Sequence, residues 1–122
     1  MSSLVVLKPD AVREGKVGEI IARLERAHFQ VTEIFNLNLD EDDVAGLYKD
    51  HVGKDFYPGL EAQMIDGMSI LLNVAGPVEL IRGVALQVRK DYDRTNPNNL
   101  IHASDSPLAA ERELEAFGMD NT

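Results

Sequence analysis

Cysteine is absent from this chain. That excludes a disulfide framework, a thiolate metal site and a cysteine nucleophile together, and it suits a reducing compartment. Long apolar runs are missing too. Nothing approaches the roughly 20 residues that a membrane-spanning helix needs, and Met1 to Leu7 lack a basic stretch followed by a signal-type apolar region. The expectation is a soluble, cytoplasmic protein. Cations are scarce: 12 Lys and Arg face 21 Asp and Glu, a formal charge of −9. Such a field repels nucleic-acid backbones and anionic membranes, so a phosphate-bearing ligand needs a local cluster of cations. Aromatics make up 6% of the chain and are not interleaved with basic residues, which argues against a nucleic-acid stacking platform. The nine glycines are scattered, with no phosphate loop of the P-loop or dinucleotide type. Three histidines without a paired-ligand spacing make no dedicated zinc site.

What is present fits one compact domain over residues 1–122, since a chain of this length builds one core and not comfortably two. Ser3 to Leu7 reads as a buried strand stopped by Lys8-Pro9-Asp10. From Val12, the residues Val17, Ile20, Ile21 and Leu24 recur at helical spacing and end near Ala27 and His28. Phe29 to Leu39 alternates as a strand. Asp40 is a natural N-cap for an acidic-fronted helix to about His51. Gly53 breaks the pattern before a short helix from about Tyr57 to Asp66. Met68 to Val74 is the strongest candidate for a central strand. Gly76-Pro77 opens a helix to about Val84, and an irregular stretch follows. Asn99 to Ala103 reads as the last strand, and Ser106-Pro107 caps a final helix running to about Phe117. Four strands interleaved with helices imply an α+β sandwich, an antiparallel sheet covered by helices.

His102 ends the last apolar strand just before that helix cap. A neutral imidazole there serves as nucleophile or base, although on spacing alone a partly buried structural histidine is the commoner outcome. Lys8, Arg82 and Arg89 each fall near the end of an element. Converging cations are what a phosphoryl group needs, while ordinary surface ion pairing is the plainer reading for any one of them. Tyr48 is a candidate for the site or the core, and Glu113 faces inward only if its helix presents that side.

Three segments carry a family resemblance: Lys8-Pro9-Asp10-Ala11-Val12 with Val17-Gly18-Glu19-Ile20, then Phe56-Tyr57-Pro58-Gly59-Leu60, and above all Asn99-Leu100-Ile101-His102-Ala103-Ser104-Asp105-Ser106. From about Leu4 to Phe117 the chain closely resembles nucleoside diphosphate kinases. The resemblance implies a ferredoxin-like βαββαβ sandwich, with a four-stranded antiparallel sheet covered by helices, and a ping-pong transfer of the γ-phosphate from a nucleoside triphosphate to a nucleoside diphosphate. It makes His102 the nucleophile, with Glu113 accepting a hydrogen bond from the other ring nitrogen and Ser104 supporting that carboxylate. Lys8 and Tyr48 stand beside the transferred group, and Arg82 and Arg89 on the outer phosphates. Asn99 binds ribose hydroxyls, and Phe56 with Leu60 clamps the base. Magnesium (Mg2+) is implied as a cofactor that arrives on the nucleotide phosphates and not in a protein cage.

One stretch departs from the family pattern. Between Arg82 and Arg89 stand only Gly83, Val84, Ala85, Leu86, Gln87 and Val88, where relatives carry a longer glycine-rich segment, the Kpn loop. That loop lends a threonine to the phosphates, shapes the base side and packs at the threefold contact of the hexamer. Catalysis is expected to survive its loss, with base preference and assembly altered: a dimer is expected, and the hexamer is in doubt. Glu14 is a smaller departure, at a position where relatives often have a basic residue. The alternatives are a nucleotide-binding or regulatory module with the same fold but little turnover, and an unrelated ferredoxin-like sensing domain whose candidate residues lie scattered in space.

Overall fold

The computed structural model describes residues 1–92 and 99–121. Among them, β1 (Ser2–Leu7), β2 (Gln30–Asn38), β3 (Met68–Ala75) and β4 (Ile101–Ala103) form one sheet. The strand order is β2-β3-β1-β4, and every pairing is antiparallel. This is the ferredoxin-like α+β arrangement expected. β1 lies between two neighbours and is buried along its whole length, so its apolar run is continuous because helices cover both faces. Successive side chains on a strand point to opposite sides. Val5 and Leu7 accordingly join one core with Ile20, Leu24, Ile81 and Val88, while Leu4 and Val6 join another with Val44, Leu60, Met64 and Leu114.

The first core is covered by α2 (Val17–Arg26) and α5 (Val78–Asp91), the second by α3 (Glu41–Leu47), α4 (Tyr57–Ile65) and α6 (Pro107–Ala116). In the antiparallel register His102 stands opposite Val6. Residues directly opposite share a face, so the imidazole projects into the layer of α3 and α6, while Ile101 and Ala103 turn to the other core. Pairing register thus decides which way the histidine points.

Four expected boundaries need correction. Pro9 does not merely turn the chain: it is the first residue of a separate helix, α1 (Pro9–Arg13), capped by Lys8, a position where the missing N–H of proline costs nothing. Gly15, at φ 69°, then turns the chain before α2, so the helix expected from Val12 is two helices. α3 ends at Leu47 and not near His51; Tyr48 is its C-cap and has left the helical conformation. α5 continues past Val84 to Asp91 because Val78, Ile81, Ala85 and Val88 keep one buried stripe. Gly83 within it costs up to about 1 kcal/mol against alanine, which the stripe outweighs. β4 begins at Ile101 and not at Asn99. The remainder of the expected irregular stretch, 93–98, lies outside the described residues.

Local signals do hold where side chains satisfy the helix ends. Asp40 Oδ1 accepts from Asp43 N at 2.8 Å and Asp43 Oδ2 from Asp40 N at 3.0 Å, a reciprocal cap of a kind worth about 1 kcal/mol. Ser106 Oγ accepts from Ala109 N at 3.1 Å and fixes the start of α6 directly behind the His102 strand.

Candidate active site

A cleft of about 500 Å³ opens where the β4–α6 connection meets the C-terminal end of α3 and the middle of α5. His102, Tyr48, Arg82, Arg89 and Glu113 lie in its wall. His102 is 5% exposed, and its ring Nε2 is 3.1 Å from Glu113 Oε1. A carboxylate oxygen accepts, so Nε2 donates and the lone pair resides on Nδ1. Ser104 Oγ donates to the same Glu113 oxygen at 2.8 Å and accepts from Leu4 N at 3.1 Å. The carboxylate that orients the imidazole is therefore itself tied to the central strand. Its second oxygen lies 3.6 Å from Arg112 Nη2.

The cations are held differently from one another. Arg89 donates from Nε and Nη2 to the Ile101 carbonyl at 3.1 and 2.9 Å, beside His102. Burial lowers its pKa, and the Arg82 charge adds to that, while Tyr48 and Asp105 oppose it. Arg82 Nε sits 3.3 Å from Asp105 Oδ1. Lys8 is fully buried, its Nζ 5.8 Å from the centre of the Tyr48 ring. Burial first, and the nearby Arg89 charge second, bring its pKa down to about 7 against a pull upward from Asp10. Tyr48 packs edge-on against His102 at 5.1 Å, and burial raises its hydroxyl above the ordinary phenol range. Its Oη is enclosed without a hydrogen-bond partner among the described residues.

This is a nucleophile-type histidine with a fixed tautomer, walled by arginines and backed by a buried lysine. Such a set suits chemistry in which positioning and charge stabilisation do most of the work. The sequence model of the family described as nucleoside diphosphate kinase matches residues 1–121. The chain belongs to that family. A nucleoside diphosphate kinase of Streptomyces coelicolor is 42% identical over 128 aligned positions, covering 94% of this chain and 93% of that one. One from Methanocaldococcus jannaschii is 35% identical, covering 94% and 91%. Among solved structures, the nucleoside diphosphate kinase of Aquifex aeolicus superposes with a TM-score of 0.80 at 25% identity, covering 98% of this chain and 95% of that chain. A family protein from Babesia bovis gives 0.81 at 26% identity, covering 93% and 85%.

In this nucleoside diphosphate kinase family member, the candidate residues read from the sequence divide by location. His102, Glu113, Tyr48, Arg82 and Arg89 line the cleft, and Ser104 and Lys8 are buried behind it. Asn99 is buried just before Leu100, whose carbonyl accepts from Lys8 N at 3.0 Å. Phe56 is half-buried at the N-cap of α4, with its ring 5.3 Å from that of His51. Leu60 is 1% exposed within the second core, and neither Phe56 nor Leu60 is among the residues of the cleft wall. Sequence reasoning passed over His51, Asp50 and Arg112, which also line the cleft. His51 follows Tyr48 through a turn in which His51 N donates to the Tyr48 carbonyl at 2.8 Å, and helical spacing gives no signal for it.

Proposed function

We propose that the chain is an active nucleoside diphosphate kinase working through a phosphohistidine at His102. The Nδ1 lone pair attacks the γ-phosphorus, forming a P–N bond as the β,γ-bridging P–O bond breaks and the nucleoside diphosphate leaves. A terminal oxygen of a second diphosphate then attacks the same phosphorus and the P–N bond breaks. The observation that carries this reading is the Ser104–Glu113–His102 chain, which commits Nε2 as donor. In it Arg82 and Arg89 hold the outer phosphates, Lys8 and Tyr48 stand beside the transferred group, Asn99 takes the ribose hydroxyls and Phe56 faces the base. Of the three cleft carboxylates, Glu113 is taken up by His102 and Ser104; the other two, Asp50 and Asp105 on separate segments, are too few for a metal cage and suit a magnesium ion already held by nucleotide phosphates. That ion would supply charge neutralisation on the phosphates. The reading as a binding module without turnover finds no support: the relatives carry kinase names.

The shortened loop belongs to this proposal. Arg82 and Arg89 share the uninterrupted helix α5, and the alignment with the S. coelicolor relative spans more positions, 128, than this chain has residues, 122. We assign residues 1–122 to one domain and its work to the cytoplasm; no helix among the described residues is long and apolar enough to cross a membrane. Self-association as a dimer would use β2, a sheet edge where Ile34 is 55% and Leu37 37% exposed.

Incubation with magnesium and γ-labelled ATP, without acceptor, is expected to give acid-labile, base-stable label on His102 that is discharged by added diphosphates. Nucleotide binding without label would refute the phosphohistidine. Glu113→Gln is expected to slow His102 phosphorylation by roughly 10- to 100-fold in rapid-quench measurements. The amide still accepts from the ring, but it turns N–H groups toward Arg112. An unchanged rate would remove Glu113 from the mechanism.

A further inference from the structure

Arg82 extends from the middle of α5 and is bound at its inner nitrogen: Nε lies 3.3 Å from Asp105 Oδ1. The terminal Nη pair is the edge with which a guanidinium grips a phosphate in two-pronged fashion. Asp105 stands on a fixed link. Before it, Ser104 Oγ is tied to Leu4 N and Glu113 Oε1; after it, Ser106 Oγ caps α6. The segment that carries the nucleophile thus also carries the carboxylate holding Arg82. We infer that Asp105 is a positioning residue, a strut that aims the terminal nitrogens of Arg82 at the phosphates and sets their place relative to His102.

The inference rests on the reading that Arg82 holds nucleotide phosphates. Its rival is a placeholder role, in which the carboxylate occupies the phosphate site until nucleotide displaces it. A placeholder would sit on the terminal nitrogens, whereas the contact is at Nε. The side chains are 44% and 73% exposed, so the pair adds little to stability, and its removal is readable as a binding effect in a folded protein.

The test is calorimetric titration of the full chain with magnesium and ADP. Asp105→Ala is expected to weaken binding roughly three- to tenfold. Asp105→Asn, which keeps an oxygen able to face Nε, recovers most of that loss. Once Arg82→Lys has removed the Nε–H, Asp105→Ala adds no further loss. Equal affinity in Asp105→Ala overturns the strut, and tighter binding in both Asp105 variants establishes the placeholder instead. Parallel labelling of the wild-type chain separates the two levels of argument. Binding without label refutes the phosphohistidine and leaves the strut to be judged on its affinities. Label with an unaffected Asp105→Ala refutes the strut alone, and no wild-type binding refutes both.

Discussion

Replacing His102 by alanine is expected to lower phosphotransfer by roughly 10⁴-fold or more while leaving a folded protein. Neither adjacent hydroxyl can take over the nucleophile's part. The Tyr48 hydroxyl is held neutral, because burial raises its pKa, and Ser104 Oγ is engaged with Glu113 and the β1 backbone. What survives is direct attack by water or by the second nucleotide in a pocket built for a different geometry. Folding should tolerate the change. Glu113 loses one donor but keeps Ser104 and Arg112, so the cost is about 1–3 kcal/mol against a typical total of 5–15 kcal/mol. Rapid-quench assays together with thermal melts measure both halves. Turnover close to wild type in a folded His102→Ala protein would end the phosphohistidine reading.

The elements legible in the sequence are those whose signals are local. β3 is a mostly apolar strand buried except at its ends, and the starts of α3 and α6 carry side chains that satisfy their own first turns. Misplaced boundaries are those decided by packing. α5 outlasts Gly83 because its buried stripe continues along the sheet to Val88, and α3 stops at Leu47 although nothing in its sequence marks the end. The site follows the same division. His102, Glu113 and Ser104 lie within a dozen residues; the family motif marks His102 and Ser104, and the resemblance adds Glu113 just beyond it. Glu113 faces the imidazole because Ser106 caps α6 and the helix's second turn lies back over the sheet at β1, beside β4, a consequence of a legible cap. His51 faces the cleft because the segment after Tyr48 leaves the helix. Helical spacing carries no information about a turn that has yet to be recognised. The Arg82–Asp105 contact joins residues from two elements across a sheet edge, which a single chain's pattern cannot bring together.

Lys8→Met is expected to stabilise the fold at mildly acidic pH and to impair the enzyme. In the folded chain the Lys8 pKa is about 7, against 10.5 for the ordinary side chain, mainly through burial and secondarily through Arg89. Between those two values the unfolded chain binds more protons, so stability rises with pH through that window. Below pH 7 the lysine is charged in both states, and the full penalty of enclosing an ammonium is present, on the order of a few kcal/mol. Methionine has similar length and no charge. Its gain should be about 2 kcal/mol near pH 6 and should shrink steadily as pH climbs toward 10.5. Melting curves across pH 6 to 10 measure it, and a loss of stability at pH 6 would mean that the ammonium is well accommodated in the resting protein. The same residue should matter in the opposite sense once nucleotide arrives. A phosphoryl group beside Lys8 favours the charged form, so binding above pH 7 takes up a proton, and affinity falls as pH rises from 7 toward 10.5. Calorimetry in two buffers of different ionisation enthalpy detects that proton, and Lys8→Met should abolish its uptake while slowing phosphotransfer roughly 10²- to 10³-fold.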